Sequence, residues 1–225
     1  MKKFILAFVM IALLSSVAFA QSGSIKISGS TTVLPLSQIW AEEYMKKYPN
    51  VSISVSGGGS GTGISMLLNG TVQIGNASRE AKSSEIAKAR EKNQKLVATR
   101  LAKDGLAIVV HPKNTVKELT LAQIASIYLG KVTDWNKVGG SGGKIIPIGR
   151  DSSSGTYGFF QDAVLGGKRY AKEMRGMPSN AAVASAVAQS EGAIGYVGIA
   201  YAHDYEKKGK LKIVAVSRAA GADAR

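Results

Sequence analysis

The residues best suited to chemistry lie in one segment, residues 149–157, which reads G-R-D-S-S-S-G-T-Y. The apolar residues 145–148 predict a strand before it, and apolar residues at helical spacing predict a helix after it. Unpaired N–H groups at the start of such a helix lie at the positive end of its dipole and favour an anion. Ser154 and Thr156 add hydroxyl donors, and Arg150 adds a charge that can bind an oxyanion through two parallel hydrogen bonds. Taken alone, the serines could instead serve only as helix caps.

Small polar residues also follow three earlier predicted strands, and ligands bind beyond the carboxyl ends of parallel strands. We therefore expect these segments to meet at one edge, where hydroxyls and glycine-flanked amides would surround a compact tetrahedral anion. Several charge-assisted bonds of roughly 1.5–3 kcal/mol each could offset the desolvation of phosphate. The candidate ligands are Ser30, Thr31, Thr32, Ser60, Gly61, Thr62, Ser78, Arg79, Arg150, Ser154, Gly155 and Thr156.

Alternating and helical apolar patterns place these segments at strand–helix junctions. Strands are predicted at residues 24–28, 51–56, 72–75, 145–148 and 192–197, and helices at 36–44, 64–68, 82–93, 121–129, 157–165 and 181–189. Thr120 and Ser179 are expected to cap two of the helices. This rhythm predicts an α/β fold whose mostly parallel sheets are flanked by helices.

The sequence contains only weak motifs for enzyme chemistry. No glycine-rich P-loop precedes a lysine, and G-x-S-x-G occurs once, at residues 139–143, within a glycine-rich loop. One S-x-x-K, at residues 141–144, lies in a glycine-rich loop rather than on a helix. The two histidines, His111 and His203, are far apart, which argues against a zinc site or a Ser–His pair. We expect no enzyme activity, no metal and no cofactor.

Composition and the N-terminus indicate an exported protein. Residues 1–20 carry two lysines, an apolar stretch and A-F-A, which predicts a cleaved signal peptide. The chain has no cysteine, so a lipid-anchored N-terminus is not expected, and we predict a periplasmic protein. Lys and Arg number 29 against 15 Asp and Glu. The lysines are spread over the predicted helix faces, so a solvated surface is expected rather than a dedicated polyanion patch, and nucleic-acid binding is not predicted.

Five motifs in order then carry a resemblance over nearly the whole mature chain. They are G-S-T-T at 29–32, G-G-S-G-T-G at 58–63, A-S-R at 77–79, G-R-(D-S-S)-S-G-T at 149–156 and G-A-I-G-Y-V at 192–197. Together they resemble the periplasmic phosphate-binding proteins of bacterial ABC phosphate importers. The resemblance implies a two-lobed type II periplasmic-binding fold, phosphate in the interlobe cleft, closure about a hinge, and delivery to a membrane permease.

The resemblance also assigns roles to individual residues. Thr31 and Thr32 match first-loop contacts and Ser60 matches the second-loop serine, while the second-lobe clamp is matched by Arg150, Ser154, Gly155 and Thr156. Some members place an aspartate in the third loop to accept a hydrogen bond from protonated phosphate, whereas this chain has Arg79 there. Sulfate, molybdate or another oxyanion remains an alternative ligand. A secreted phosphatase on a related scaffold, or a scaffold that binds no oxyanion, is an alternative of another class.

The expected lobes are residues 21–103 plus 211–225 for the first and 104–210 for the second, in a monomer. The apolar residues 96–101 and 106–110 are predicted to cross into the second lobe, and residues 211–216 to cross back. Because family members usually continue beyond this point, we expect a C-terminally truncated first lobe. Such a lobe would expose apolar surface and an unpaired sheet edge.

Overall fold

A computed structural model describes residues 23–218, and the expected signal peptide lies outside that range. The N-terminal part, here called the first lobe, contains a parallel three-stranded sheet in the order β2-β1-β3. Its elements are β1 (Gly23–Gly29), α1 (Leu34–Lys47), β2 (Val51–Ser56), α2 (Ser60–Leu68), β3 (Ile74–Asn76) and α3 (Ser83–Glu91). The predicted strand–helix alternation is thus confirmed for this part of the chain.

The remainder, here called the second lobe, contains a mixed six-stranded sheet. Its elements are β4 (Leu106–Val110), β5 (Glu118–Thr120), α4 (Leu121–Tyr128), a 3₁₀ turn (Trp135–Val138), β6 (Ile146–Arg150), α5 (Gly155–Ala163), β7 (Arg175–Met177), α6 (Asn180–Ala188), β8 (Ala193–Gly198), α7 (Ile199–Lys207) and β9 (Lys212–Ser217). The strand order is β5-β9-β4-β8-β6-β7. β4 runs antiparallel to both of its neighbours, whereas β6 is parallel to β7 and β8.

Side-chain alternation along β4 gives the second lobe two apolar layers. Ile108 and Val110 pack in a cluster with α4 and α5, while Ala107 and Val109 pack in another with α6 and α7. Successive strand residues point to opposite faces, so the sheet is covered by helices on both sides. In the first lobe the buried apolar cluster among the described residues is small and is formed by Ile64, Leu68 and Ala89.

One prediction about the crossings is wrong. Residues 211–216 were expected to return to the first lobe, but β9 pairs with β4 and β5 in the six-stranded sheet. Leu211, just before it, is also buried in the second lobe. Residues 94–105 connect α3 of the first lobe to β4 of the second without forming a helix or strand, and Val97 and Leu101 in this segment are exposed. Apolar periodicity identifies a strand but not the strand with which it pairs.

The first lobe exposes much apolar surface, as expected. Ile39, Trp40 and Tyr44 lie on α1 and are 57%, 44% and 39% exposed. Apolar side chains of β3, α3 and the 94–105 segment are exposed as well. None of the helices within residues 23–218 is both long and apolar enough to cross a bilayer.

Candidate anion-binding site

The corner between β6 and α5 has the predicted geometry. β6 ends at Arg150, and α5 begins at Gly155. The Oγ of Ser154 accepts hydrogen bonds from the N–H groups of Thr156 at 3.1 Å and Tyr157 at 3.4 Å, so this serine caps α5. Within residues 23–218 the N–H of Gly155 has no hydrogen-bond partner. Capping is therefore compatible with anion binding, because a donor remains at the positive end of the helix.

Arg150 is a buried cation, with 1% of its surface exposed. Its Nε donates to the carbonyl of Met177 at 3.2 Å and its Nη2 to that of Pro178 at 3.0 Å. Burial lowers the pKa of Arg150, partly opposed by the nearby Asp151 carboxylate. No salt bridge joins Arg150 to a carboxylate in the described part of the chain. A guanidinium retains its proton in proteins, so a buried one held mainly by carbonyls is matched best by a bound anion.

The first loop brings its hydroxyls to the second lobe through Asn180. The Oγ1 of Thr31 accepts hydrogen bonds from the backbone N–H of Asn180 at 3.3 Å and from its Nδ2 at 3.1 Å. The same Nδ2 donates to the Oγ1 of Thr32 at 3.1 Å. Thr32 Oγ1 also lies 3.1 Å from Thr156 Oγ1, so hydroxyls of the two lobes are in direct contact. Ser30 is buried behind them and accepts from the Thr32 N–H.

The second and third loops surround Gly155. The Oγ of Ser60 accepts from the Ser78 N–H at 3.0 Å and lies 3.2 Å from the Ser78 Oγ. A Cβ atom added at Gly155 would lie 2.6 Å from both hydroxyl oxygens, a separation that side chains do not tolerate. The N–H of Gly61 donates to the carbonyl of Ser153 at 2.9 Å. The lobes therefore meet closely here, and glycine at 155 permits the contact.

Two predicted ligands are placed differently. Thr62 is exposed on α2, and its side chain forms no hydrogen bond with the described residues. The stem of Arg79 lies beside Gly155, but its guanidinium forms a bidentate pair with Glu85, at 2.8 and 2.7 Å. Burial would raise the pKa of Glu85, but the hydrogen bonds and charges of Arg79 and Lys82 outweigh it, so this pKa is lowered. The structure thus neutralises Arg79 at the margin of the cluster.

Sequence reasoning missed Asn180 and Tyr201. Asn180 is fully buried, and its Oδ1 accepts from the Gly198 N–H at 3.0 Å while its Nδ2 holds the threonines. Tyr201 donates its hydroxyl to the carbonyl of Thr31 at 2.9 Å. Ser179 caps α6 as predicted, by accepting from the Ala182 N–H. The available signal for Asn180 was its position next to the predicted cap Ser179 at the start of a helix, since the three-residue strand β7 before it was not predicted.

The assembled groups are a buried guanidinium, threonine and serine hydroxyls, an amide and a helix N-terminus. These groups bind oxygen atoms that carry negative charge. Within residues 23–218 no group of three or more His, Cys, Asp or Glu side chains could hold a metal ion. The arrangement is therefore suited to an anion with several oxygen atoms.

Comparison with known proteins places the chain in a family. Residues 17–223 match the PBP superfamily domain. The chain belongs to the PBP superfamily. The chain is 35% identical over 219 residues to the phosphate-binding protein PstS of Pseudomonas aeruginosa, and the match covers 89% of this chain and 65% of that protein. It is 37% identical over 183 residues to PstS of Bacillus subtilis, covering 81% of this chain and 59% of that protein. The chain thus spans less than two thirds of the length of these relatives.

A solved structure shares the PBP fold. It is a Clostridium perfringens protein assigned as a phosphate ABC transporter substrate-binding protein and determined with bound phosphate. The match has a TM-score of 0.78 at 34% identity and covers 90% of this chain and 78% of the other. The predicted α/β fold of the type II periplasmic-binding class is confirmed.

Proposed function

We propose that this protein is a solute-binding protein that captures inorganic phosphate between its lobes and delivers it to an ABC importer. The observation that carries the proposal is Arg150, a buried guanidinium without a carboxylate partner in the described residues, on the strand that leads to α5, where the Gly155 N–H is left unpaired by the Ser154 cap. The names of the relatives and the phosphate bound in the Clostridium perfringens structure support the same ligand.

The ligand set divides between the lobes. The first lobe supplies Thr31, Thr32 and Ser60, with Ser78 beside them, and the second lobe supplies the groups around Arg150. Contacts such as Thr32 to Thr156 exist only when the lobes are together. An anion that binds both groups therefore favours the closed form through its differential contacts, and hinge closure follows. Small-angle scattering should give a smaller radius of gyration with phosphate, and an unchanged radius in a sample that binds would contradict closure.

We place the protein in the periplasm as a carrier rather than an enzyme. The leader-like residues 1–20 support that location. The donor set holds an anion but offers no activated nucleophile beside a general base. Incubation with a chromogenic phosphate ester should release no product, whereas steady turnover would favour the phosphatase alternative.

Calorimetric titration with phosphate tests the proposal directly. Arg150→Ala should weaken binding by about 2–4 kcal/mol, because it removes the dominant buried charge. Arg150→Lys should recover only part of this, since a point charge cannot replace the guanidinium fork. Arg169→Ala removes an exposed arginine of the same lobe and serves as the control.

Competition defines the ligand. Phosphate affinity should persist in the presence of excess sulfate or molybdate if the site is built for phosphate. If sulfate or molybdate binds more tightly, the site serves that oxyanion instead. If Arg150→Ala binds phosphate within a factor of about three of the parent, the site is elsewhere.

A further inference from the structure

A chain of tyrosine hydroxyls lies directly beneath the proposed site. The backbone N–H of Arg150 donates to the hydroxyl of Tyr196 at 3.1 Å. That oxygen lies 3.0 Å from the hydroxyl oxygen of Tyr170. The Tyr170 hydroxyl in turn lies 2.9 Å from the carbonyl of Tyr157. The chain thus joins the last residue of β6 to the first turn of α5 by a route separate from the intervening loop.

The proton positions along this chain follow from its ends. A carbonyl only accepts, so the Tyr170 hydroxyl must use its single proton on Tyr157. Tyr170 can then only accept from Tyr196, and Tyr196 accepts from Arg150 while donating to Tyr170. Every donor points the same way, and aligned hydrogen bonds of this kind polarise and strengthen one another. Burial raises the pKa of both tyrosines, so both hydroxyls keep their protons.

The surrounding packing is adapted to this contact. Tyr196 has no exposed surface, and its ring stacks on Phe160 of α5 with centroids 4.1 Å apart. A Cβ atom at Gly149 would lie 2.9 Å from the Tyr196 hydroxyl oxygen. Glycine at this position therefore leaves the space through which the hydroxyl reaches the backbone of β6. The Tyr196 ring packs on α5 through Phe160, and its hydroxyl contacts the backbone of the neighbouring strand β6.

We propose that the Tyr170–Tyr196 hydroxyl pair is a positioning device that sets the spacing between the Arg150 guanidinium and the N-terminal turn of α5, and thereby tunes oxyanion affinity and size selectivity. This inference rests on the proposed phosphate site. An oxyanion bound at once by Arg150 and by the Gly155 N–H at the start of α5, which is unpaired within residues 23–218, fits one spacing best. Small errors in spacing between fixed binding groups weaken the complex strongly.

Tyr128 provides a matched control. Its ring belongs to the same aromatic cluster. Its fully buried hydroxyl donates to the carbonyl of Ile148 at 3.0 Å and also lies 3.3 Å from the carbonyl of Ile194. It has no hydrogen bond to Arg150 or to α5 in the described structure. Tyr128→Phe therefore removes a buried hydroxyl from the same cluster without breaking the chain.

The experiment compares calorimetric affinities for phosphate and for the larger molybdate in the parent, Tyr196→Phe, Tyr170→Phe, the double variant and Tyr128→Phe. Tyr196→Phe should weaken phosphate binding about 5- to 20-fold, and Tyr170→Phe somewhat less. The double variant should resemble Tyr196→Phe, since one chain is broken in both. The ratio of phosphate to molybdate affinity should fall in these variants and stay unchanged in Tyr128→Phe.

Urea unfolding of each variant separates positioning from general destabilisation. Tyr128→Phe should lose stability to a similar extent as Tyr196→Phe but keep phosphate affinity within about twofold. Equal phosphate affinities in the parent and Tyr196→Phe, or equal losses of phosphate affinity in Tyr196→Phe and Tyr128→Phe, would overturn this inference and leave the proposed function standing. If Tyr196→Phe does not fold, Tyr170→Phe decides by the same criteria. A parent that binds no phosphate would remove the proposed function and this inference with it.

Discussion

Each face of the six-stranded sheet in the second lobe carries a buried cluster, and Arg150 lies at the end of one of its strands. The three-stranded sheet of the first lobe is supported among the described residues by the small cluster of Ile64, Leu68 and Ala89. Its contribution to the site comes from loop hydroxyls, which the second lobe holds through Asn180 and Thr156. From this difference we infer that the second lobe, with its large buried clusters, holds the Arg150 charge in place. The first lobe, with its small cluster, is ordered by contact with the second.

Removing a buried aromatic ring from the second lobe should give the largest effect. Phe160 is 1% exposed and stacks on Tyr196, so Phe160→Ala should lower the free energy of unfolding by about 3–5 kcal/mol. Fluorescence emission from the buried Trp135, in a Trp40→Phe background, reports this unfolding transition in urea.

Leu68→Ala is the corresponding substitution in the first lobe. In this variant hydrogen exchange should accelerate in residues 23–91 only. Equal acceleration in both lobes would show that they unfold as one unit.

The interlobe contact at Gly155 can be blocked without touching the charge. In Gly155→Ala the new Cβ would crowd the hydroxyls of Ser60 and Ser78, and overpacking of this kind costs about 1–3 kcal/mol. Phosphate affinity measured by calorimetry should fall by a corresponding factor of about 5 to 150. Gly158→Ala lies on the same helix with nothing within 4 Å of its added Cβ, and it should bind normally. Normal binding by Gly155→Ala would mean that the lobes bind phosphate without this contact.

Asn180 links the two lobes through its side-chain amide, which donates hydrogen bonds to Thr31 and Thr32. Asn180→Ala should weaken phosphate binding by about 1–2 kcal/mol, because the hydroxyls of Thr31 and Thr32 lose the amide donor that they share. Asn180→Asp keeps an acceptor for the Gly198 N–H but replaces the donor with a negative charge. It should therefore bind more weakly than Asn180→Ala in the same titration. Tighter binding by the aspartate variant would show that Asn180 does not face the anion.

The smallest expected effect concerns the first lobe alone. The pKa of Glu85 is lowered in the folded state, so its pair with Arg79 stabilises the lobe above the ordinary carboxyl pKa and loses this as pH falls through the folded pKa. Glu85→Gln should cost about 1 kcal/mol near pH 7 and progressively less as the pH falls below the ordinary carboxyl pKa, as measured by urea unfolding. Glu80→Gln breaks an exposed 3.4 Å pair with Arg100 and should have little effect at either pH. A pH-independent loss in Glu85→Gln would show that the ion pair contributes nothing.

The sequence could predict those structural features that depend on residues close together along the chain. The alternation of residues 51–56 and the Ser154 cap are set by residues within a few positions, and both are confirmed. The short strands β5 and β7 and the helix α7 were missed, because three-residue strands carry little periodicity and α7 has a polar face. The partner of β9 could not be predicted because strand pairing depends on contacts distant in sequence.

The same limit applies to the site. Arg150 and the hydroxyls could be proposed from residue type and position after a strand. The exposure of Thr62 and the neutralisation of Arg79 depend on how α2 and α3 are oriented, which no local pattern specifies. Asn180 acts across the lobes, so its partners become visible only in three dimensions.

The position of β4 also has a consequence for the order of folding. It is the first strand of the second lobe along the chain, yet it lies between β8 and β9, with Ile108 opposite both Tyr196 and Val214. The centre of that sheet therefore closes only after about a hundred further residues are available, and such distant pairings form slowly. The first lobe, built from β1, α1, β2, α2 and β3 in succession, can assemble from local contacts much earlier. The lobe with the smaller buried cluster is thus the one that must wait for the other, and the apolar residues of its α1 face are exposed to other chains both before and after the second lobe has formed.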